Sequence, residues 1–333
     1  MVESAPRQLF RYDPACRGRL GLSPSEPMGA VRRAGAAANG EWVGSRRGIF
    51  ISLGLAWLVV ATACGHGVEE VTVEFDPIHQ LTARLFLPSG RGPHAAVVLL
   101  HGGCFLHGSH RGMEREGRFL AEQGFAALSI DYRLANQGGQ FPRAVGDVKC
   151  AVRWLKTRAG EFGVDPARIA VLGTSAGGYL ASITAATPGR PEFDRPECGA
   201  QGHDASVAAA VVYYGVSDWN RRCRGGMLQC EEMFLSERCD PQQLAPVFDQ
   251  ASVTTYRDEI VAPYLLLHGE LDGEIGVDQS RQLRDAMGQA GGDVELLVLP
   301  GVGHNFERDW DAPAARRARR AIVDFLDQRL ERP

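Results

Sequence analysis

Apolar and polar positions follow two different patterns along this chain. Near residues 71 and 81, two segments alternate apolar and polar residues, as half-buried antiparallel strands do, and a turn separates them. Six later segments are continuous apolar runs, which is typical of strands buried on both faces of a parallel sheet. The predicted strands cover residues 71–75, 81–87, 95–100, 126–130, 169–172, 207–213, 264–267 and 294–299.

Helical periodicity fills several of the intervals between these strands. Segments 145–155, 279–290 and 314–330 place apolar residues every three or four positions, which puts them on one helix face. Strands that alternate with helices in this way predict an α/β protein, with a mostly parallel central sheet and helices on both faces.

One long interval interrupts the alternation. About 50 residues separate the strand at 207–213 from the strand at 264–267, and loops of that length commonly bind ligands or act as lids. We expect a cap insertion at about 216–255 within one α/β domain of residues 68–333, and residues 188–206 could extend it. A disordered insertion is the alternative.

The first 67 residues have a different composition from the remainder. Residues 1–48 are rich in Arg, Gly, Ala and Pro without apolar periodicity, which predicts disorder. Residues 49–63 form an apolar run that is short for a membrane span of about 20 residues. This run suits a signal-peptide core, and Arg46 and Arg47 before it resemble a twin-arginine export signal.

A second signal follows at the end of that run. Residues 61–64 read Ala-Thr-Ala-Cys and resemble a bacterial lipobox, which predicts a lipidated Cys64 as the first residue of the mature chain. The expected protein is therefore exported, either attached to a membrane through Cys64 or free in the periplasm or outside the cell. An uncleaved anchor and a later translation start, at Met28 or beyond, are the alternatives.

Composition and charge exclude few classes of protein. Hydrophobic residues make up 44% and charged residues 23% of 333 residues, as in ordinary globular proteins. The net charge is −4 and the pI near 6.2, so nothing indicates a nucleic-acid partner.

Cysteine usage agrees with an exported protein. Four of the eight cysteines fall within residues 198–239, which predicts disulfides that pin a loop. Three pairings among Cys198, Cys223, Cys230 and Cys239 are open. A zinc site is disfavoured because no C-x2-C pair is present, and no metal is predicted.

Candidate chemistry centres on Ser175. Residues 173–177, Gly-Thr-Ser-Ala-Gly, match G-x-S-x-G at a predicted strand-to-helix junction, where a nucleophilic serine occupies a sharp turn. Asp272 follows a later strand, and His304 follows the last one. Because the carboxyl ends of parallel strands share one edge of a sheet, these residues could meet there.

Each of these residues has a chemical role in that arrangement. His304 would take the proton of Ser175, and Asp272 would orient the imidazole. Glu270, Glu274 and Asp278 are rival acids in the same loop.

Two further sets of residues complete the candidate site. The backbone N–H groups of Gly102, Gly103 and Ala176 would form an oxyanion hole. Four aromatic residues are candidates for substrate contact: Phe105, Tyr132, Tyr179 and Trp219. Core packing explains Phe105 and Trp219 equally well, and Tyr132 could instead belong to a structural salt-bridge corner with its neighbours at 131 and 133. The arginine cluster at 221–224 could attract an acidic substrate or simply face solvent.

Taken together, the motifs of residues 71–329 resemble the esterase branch of the α/β-hydrolases, which includes relatives of hormone-sensitive lipase, acetyl-xylan and feruloyl esterases, and kynurenine formamidase. The motifs that carry the resemblance are His-Gly-Gly at 101–103, Asp-Tyr-Arg-Leu at 131–134, 141–149, 151–155, 173–178, His-Gly-x-x-Asp at 268–272 and Gly-His at 303–304. The chain differs from many members at Cys104, where they have a third glycine.

The resemblance implies an α/β-hydrolase fold and ester hydrolysis without a cofactor. It favours a serine carboxylesterase that acts through an acyl-enzyme on short-acyl esters, such as acetylated or feruloylated carbohydrate. A prolyl-oligopeptidase-type serine peptidase, an arylformamidase and a non-enzymatic surface binding protein are the alternatives. The oligomeric state stays open.

Overall fold

The computed structural model describes residues 59–60, 67–195, 197–198 and 202–330. One nine-stranded sheet runs through these residues, with strand order β1-β2-β3-β5-β4-β6-β7-β8-β9. The strands are β1 Val59–Val60, β2 Glu69–Asp76, β3 Leu81–Leu87, β4 His94–Leu100, β5 Ala126–Ile130, β6 Val164–Thr174, β7 Ala209–Tyr213, β8 Tyr264–Gly269 and β9 Val294–Leu299.

The sheet changes from antiparallel to parallel at β5. Strands β1, β2, β3 and β5 pair antiparallel in that order, whereas β5, β4, β6, β7, β8 and β9 pair parallel. At the centre of the parallel part, Val98 of β4 lies opposite Leu128 of β5 and Val171 of β6, and all three are fully buried.

Helices cover both faces of the sheet, which is why the central strands are apolar on both sides. Successive β4 residues enter different cores: Val97 belongs to the core under α1 and α8, and Val98 to the core under α2, α3 and α7. The helices described are α1 Glu114–Glu122, α2 Arg143–Thr157, α3 Ala176–Ala186, α4 Trp219–Gly225, α5 Gln229–Leu235, α6 Pro246–Ala251, α7 Asp278–Gln289 and α8 Pro313–Arg329.

This architecture confirms the predicted α/β class and mostly parallel sheet, and it differs from the prediction in some details. Strand β9 was expected to be buried on both faces, but it lies at the edge of the sheet and most of its residues are half-buried. Helix α1 was not predicted; its apolar residues Leu120 and Ala121 nevertheless pack into the core.

Helices α4, α5 and α6 lie in the long interval between β7 and β8, where the cap was expected. Within it, Cys223 of α4 is disulfide-bonded to Cys239.

The expected pairing among the four clustered cysteines is wrong for two of them. Cys198 bonds to Cys150 of α2, and Cys230 of α5 bonds to Cys104 after β4. Disulfide partners are set by which elements pack together. Helix α2 is distant from Cys198 in sequence but adjacent to it in space, and the same is true of the loop after β4 and Cys230.

The N-terminal predictions lie outside the described residues, apart from Val59 and Val60, which pair with β2. Disorder at 1–48, the export signal and Cys64 therefore stay predictions. Among the helices that the structure describes, none has both the length and the apolar content needed to span a bilayer.

Candidate active site

Ser175 occupies the turn between β6 and α3 in a strained backbone conformation, with φ 54° and ψ −116°. Neighbouring glycines make the turn possible. A Cβ on Gly173 would lie 2.1 Å from the carbonyl oxygen of Gly177, and one on Gly177 would lie 2.2 Å from that of Leu100. Such strain is retained where the surroundings enforce it, as at functional sites.

Three side chains from three strand ends form one hydrogen-bonded series. The Oγ of Ser175 is 3.0 Å from Nε2 of His304, and Nδ1 of His304 is 2.7 Å from Oδ2 of Asp272. A carboxylate only accepts hydrogen bonds, so Nδ1 of His304 carries the proton and Nε2 accepts from the Ser175 hydroxyl. The structure thus brings together the three residues predicted for the relay.

Asp272 is held as an anion. Its side chain is fully buried, and the backbone N–H groups of Glu274 and Ile275 each donate to Oδ1 over 2.9 Å. Burial by itself would raise the pKa of Asp272, but contacts with His268 and His304 and the backbone donors outweigh it and hold the pKa well below its usual range.

His268 supports this loop rather than the serine. Its Nε2 donates to the carbonyl oxygen of Ile275 over 2.8 Å, and the Ser280 hydroxyl lies 2.7 Å from Nδ1. The ring is fully buried, and these hydrogen bonds stabilise the loop that carries Asp272.

The rival acids lie in other arrangements. An oxygen of Glu270 accepts the backbone N–H of Gly301, and Asp278 pairs with Arg221. The carboxylate of Glu274 does approach the imidazole, at 3.8 Å from Nε2 of His304, but its side chain is 59% exposed. Only Asp272 reaches Nδ1 of His304 within hydrogen-bond distance among the described residues.

Tyr214, directly after β7, was missed by the sequence analysis. Its ring lies 4.3 Å from the His304 ring, centroid to centroid, and it is fully buried. An aromatic residue at the end of an apolar strand carries no signal of the direction it faces.

The loop after β4, residues 101–108, is called the glycine loop below. Gly103 has φ 123°, and a Cβ there would lie 2.1 Å from the carbonyl oxygen of His107. The backbone N–H groups of Gly102, Gly103 and Ala176 donate to no acceptor in the described part of the chain. They are therefore available to an oxygen atom bound beside Ser175.

His101 and Tyr132 brace this loop from inside the protein. The Nδ1 of His101 donates to the carbonyl oxygen of Gly102 over 2.7 Å, and burial lowers the pKa of His101 below its usual value. The Tyr132 ring stacks on His101, and its hydroxyl donates to the His101 carbonyl over 2.8 Å. Tyr132 consequently does not line the cavity, contrary to its prediction as a substrate contact.

A cavity of about 270 Å³ opens beside Ser175. Phe105 and Tyr179, both candidates for substrate contact, line it. Trp219 does not; it is fully buried behind Tyr179, with the two ring centroids 5.2 Å apart. The remaining lining residues are Gly103, Cys104, His107, Ala176, Val216, Leu228, Glu231, Glu274, Ile275, Asn305 and Arg308, together with Ser175 and His304.

The arginine cluster of α4 does not form one cationic surface. Arg221 pairs with Asp278, and Arg222 forms a buried ion pair with Glu231 over 2.9 Å. Neither charge is therefore available as part of a common anion-binding face.

The described residues contain no group of three or more His, Cys, Asp or Glu side chains that could hold a metal ion.

A serine on a strained strand-to-helix turn, with its histidine and acid from later strand ends of a mostly parallel sheet, defines an α/β-hydrolase. The model of the BD-FAE family matches residues 84–287, more than half of the chain. The chain belongs to this family, which confirms the resemblance inferred from its motifs.

Curated relatives are esterases. The chain is 34% identical over 244 residues to esterase LipC of Mycobacterium tuberculosis, covering 71% of this chain and 59% of that protein. It is 33% identical to the probable carboxylic ester hydrolase LipM of the same organism, covering 71% and 54%. It is also 33% identical to the ethyl acetate hydrolase of Pseudomonas putida, covering 69% and 72%. The chain thus spans somewhat over half the length of the first two relatives.

Solved structures share the fold at lower identity. A truncated carbohydrate esterase from gut microbiota superposes with a TM-score of 0.68 at 20% identity, covering 78% of this chain and 95% of that one. Esterase 2 of Thermogutta terrifontis, phosphoramylated by tabun, gives 0.64 at 24% identity, covering 79% and 94%.

Proposed function

We propose that this protein is a serine carboxylic-ester hydrolase that acts through an acyl-enzyme. The observation that carries the proposal is the hydrogen-bonded series from Ser175 through His304 to Asp272, which opens into a cavity. The esterase relatives support the reaction class.

In the first half-reaction, Oγ of Ser175 attacks the ester carbonyl while Nε2 of His304 takes its proton. Asp272 stabilises the imidazolium that forms. The carbonyl oxygen becomes negative and accepts from the N–H groups of Gly102, Gly103 and Ala176; one such donor is typically worth about 2.7–4 kcal/mol. His304 then protonates the leaving alcohol.

The second half-reaction repeats these steps with water as the nucleophile. His304 takes a proton from the water, which attacks the acyl carbon. The same oxygen again becomes negative at the same donors, and collapse of the intermediate releases the carboxylic acid and restores the Ser175 hydroxyl. No step requires a cofactor.

Cavity size supports a small substrate. A volume of about 270 Å³ bounded by Phe105, Tyr179 and Val216 has room for a short acyl group, since sites for drug-sized ligands run from about 300 to 1,000 Å³. We propose short-acyl esters as the substrates, in particular acetylated carbohydrate; feruloylated carbohydrate, whose acyl group is a bulky aromatic one, is the alternative. A relative that is an ethyl acetate hydrolase and a structural neighbour that is a carbohydrate esterase support this choice.

A panel of p-nitrophenyl esters from acetate to dodecanoate tests the reaction and its chain-length preference. We expect the highest kcat/KM at acetate to butyrate, and loss of turnover in Ser175→Ala. Acetylated xylan and feruloylated arabinoxylan then test the natural class. No turnover of any ester, with cleavage of a proline-containing peptide or of an N-formyl arylamine, would replace the proposal by the peptidase or the formamidase.

We propose further that the enzyme works outside the cytosol. Three disulfides support this location, because such bonds persist in oxidising compartments. Mass spectrometry of the native mature N-terminus tests it: a lipidated Cys64 is expected, and an unprocessed N-terminus in the cytosolic fraction would contradict it.

A further inference from the structure

Helix α5 contacts the glycine loop at two consecutive loop residues. Cys230 is disulfide-bonded to Cys104, and the Phe234 ring stacks on Phe105 with centroids 3.8 Å apart and planes 10° from parallel. Residues four apart lie on one face of a helix, so a single face of α5 makes both contacts. The cap therefore holds the glycine loop directly, and not through intervening elements.

The part of the loop that α5 holds has an unusual backbone. Gly103, Cys104 and Phe105 all have positive φ, at 123°, 52° and 61°. A side-chain-bearing residue remains in this region when its neighbours enforce it. The backbone conformation of Phe105 is stabilised by a hydrogen bond, in which its carbonyl oxygen accepts from the Ala135 N–H over 2.8 Å. Cys104 is held through its side chain, by Cys230.

Helix α5 is itself fixed, so it can act as a support. The Glu231 carboxylate is buried, pairs with Arg222 of α4 over 2.9 Å, and accepts the backbone N–H of Leu228 over 2.7 Å. The disulfide from Cys223 to Cys239 closes the segment that contains α5. A bond to α5 thus ties the glycine loop to a cross-linked part of the cap.

We propose that the disulfide between Cys104 and Cys230 is a positioning element that holds the N–H groups of Gly102 and Gly103 at the oxyanion position beside Ser175. This inference rests on the proposed esterase function. It predicts a specific kinetic effect: donors that act on the developing oxyanion stabilise the transition state and not the bound ester, so their displacement lowers kcat with little change in KM.

The test compares two disulfide deletions. Cys104→Ser with Cys230→Ser is the test variant, and Cys150→Ser with Cys198→Ser is the control, because that bond joins α2 to a segment away from the cavity. On p-nitrophenyl acetate, we expect the test variant to lose at least 10-fold in kcat with KM within threefold of the wild type. The control should retain kcat within twofold, whatever happens to its Tm.

Two results would overturn the inference. One is a test variant with unchanged kcat and only a lower Tm, which would make the bond merely structural. The other is a change confined to KM, which would mean that the bond shapes the cavity wall and not the oxyanion donors.

Reduction of the wild-type protein gives the same answer if the test variant does not fold. Cys104 and Cys230 are both half-buried, whereas Cys150 and Cys198 are 1% and 3% exposed, so a water-soluble phosphine should open the first bond at lower concentration. Each phosphine gives two electrons to one S–S bond, and one water molecule supplies the oxygen of the resulting phosphine oxide and the two protons of the resulting thiols. Loss of kcat should follow alkylation of Cys104 and Cys230, read by peptide mass, and unchanged kcat after their full alkylation would reject the proposal.

A readout that needs no ester turnover separates this inference from the esterase proposal. A fluorophosphonate phosphonylates Oγ of Ser175 with loss of fluoride, while His304 takes the serine proton, and it places its P=O oxygen at the same donors. The increase in protein mass over time reports the rate. Wild type that is phosphonylated but hydrolyses no ester would reject the esterase proposal alone. Equal phosphonylation rates in wild type and the test variant would reject the positioning role alone.

Discussion

The imidazole of His304 packs on the buried ring of Tyr214, with ring centroids 4.3 Å apart and planes inclined by 53°. Tyr214 itself has φ 38°, so the chain turns sharply after β7 to place this ring. Tyr214 thus packs against the face of the imidazole, while Ser175 and Asp272 form hydrogen bonds with its two nitrogen atoms. The position of the proposed base is therefore set by packing as well as by hydrogen bonds.

Removal of the whole Tyr214 ring should lower kcat more than removal of its hydroxyl group alone. Tyr214→Ala leaves a cavity next to His304, and deletion of a buried aromatic ring costs about 3–5 kcal/mol of folding stability. We expect kcat on p-nitrophenyl acetate to fall at least 10-fold, because the imidazole gains freedom to leave the serine. Tyr214→Phe is the matched control and should stay within threefold of the wild type; equal losses in both variants would show that the hydroxyl matters instead.

The carboxylate at 272 should be far more important than the one at 274. Asp272→Asn places an amide against His304, which can favour the tautomer with the proton on Nε2, and this change in a serine protease lowered kcat about 10⁴-fold. We expect a loss of at least 10³-fold on p-nitrophenyl acetate. Glu274→Gln removes the other carboxylate near the imidazole, 3.8 Å from Nε2, and should change kcat less than fivefold.

A comparable loss in the two variants would contradict this assignment of roles. It would mean that Glu274, and not Asp272, balances the charge of the imidazolium during the reaction.

A methyl group at Gly103 should disrupt the oxyanion donors. A Cβ there would lie 2.1 Å from the His107 carbonyl oxygen, so the loop must move. We expect Gly103→Ala to lose about 10²–10³-fold in kcat, the effect of losing one oxyanion donor. Gly90 is a control, because it also has positive φ, at 110°, but has open space where a Cβ would stand. Gly90→Ala should keep the kcat of the wild type. If it loses as much kcat as Gly103→Ala, backbone strain and not the oxyanion donors explains the loss.

The sequence predicted the parts of the site that lie at strand ends. Ser175, Asp272 and His304 each lie within five residues of the end of an apolar strand, and parallel strands bring their carboxyl ends to one edge. The glycines at 173 and 177 likewise predicted a tight turn at the serine, and a Cβ on Gly177 would indeed lie 2.2 Å from the carbonyl oxygen of Leu100.

The remaining features depend on side-chain directions and on the path of the cap. The sequence does not show whether an aromatic side chain near the site faces the core or the cavity, so Trp219 and Tyr179 were both candidates although only Tyr179 reaches the cavity. The partners of Cys198 and Cys230 lie 48 and 126 residues away, outside the cluster that suggested local pairing.

Glu116 of α1 is a buried acid away from the cavity. Its Oε1 has no hydrogen-bond partner among the described residues. Burial raises the pKa of Glu116 from 4.5 to about 7; Arg319 opposes the shift and Glu307 adds to it. The folded protein thus binds a proton that the unfolded chain has lost above pH 4.5. The stabilisation linked to that proton is complete below about pH 4.5 and is lost as the pH rises toward 7.

Glu116→Gln should therefore stabilise the protein at pH 8 and have little effect at pH 5. A shift of one pKa unit corresponds to about 1.4 kcal/mol, so the neutral amide should relieve on the order of 3 kcal/mol at pH 8. The measurement is Tm by differential scanning calorimetry at both pH values, with Glu122→Gln at the exposed end of the same helix as the control. We expect a Tm several degrees above that of the wild type at pH 8 only. A Tm lowered equally at both pH values would mean that the Glu116 carboxylate is charged and paired in the folded state.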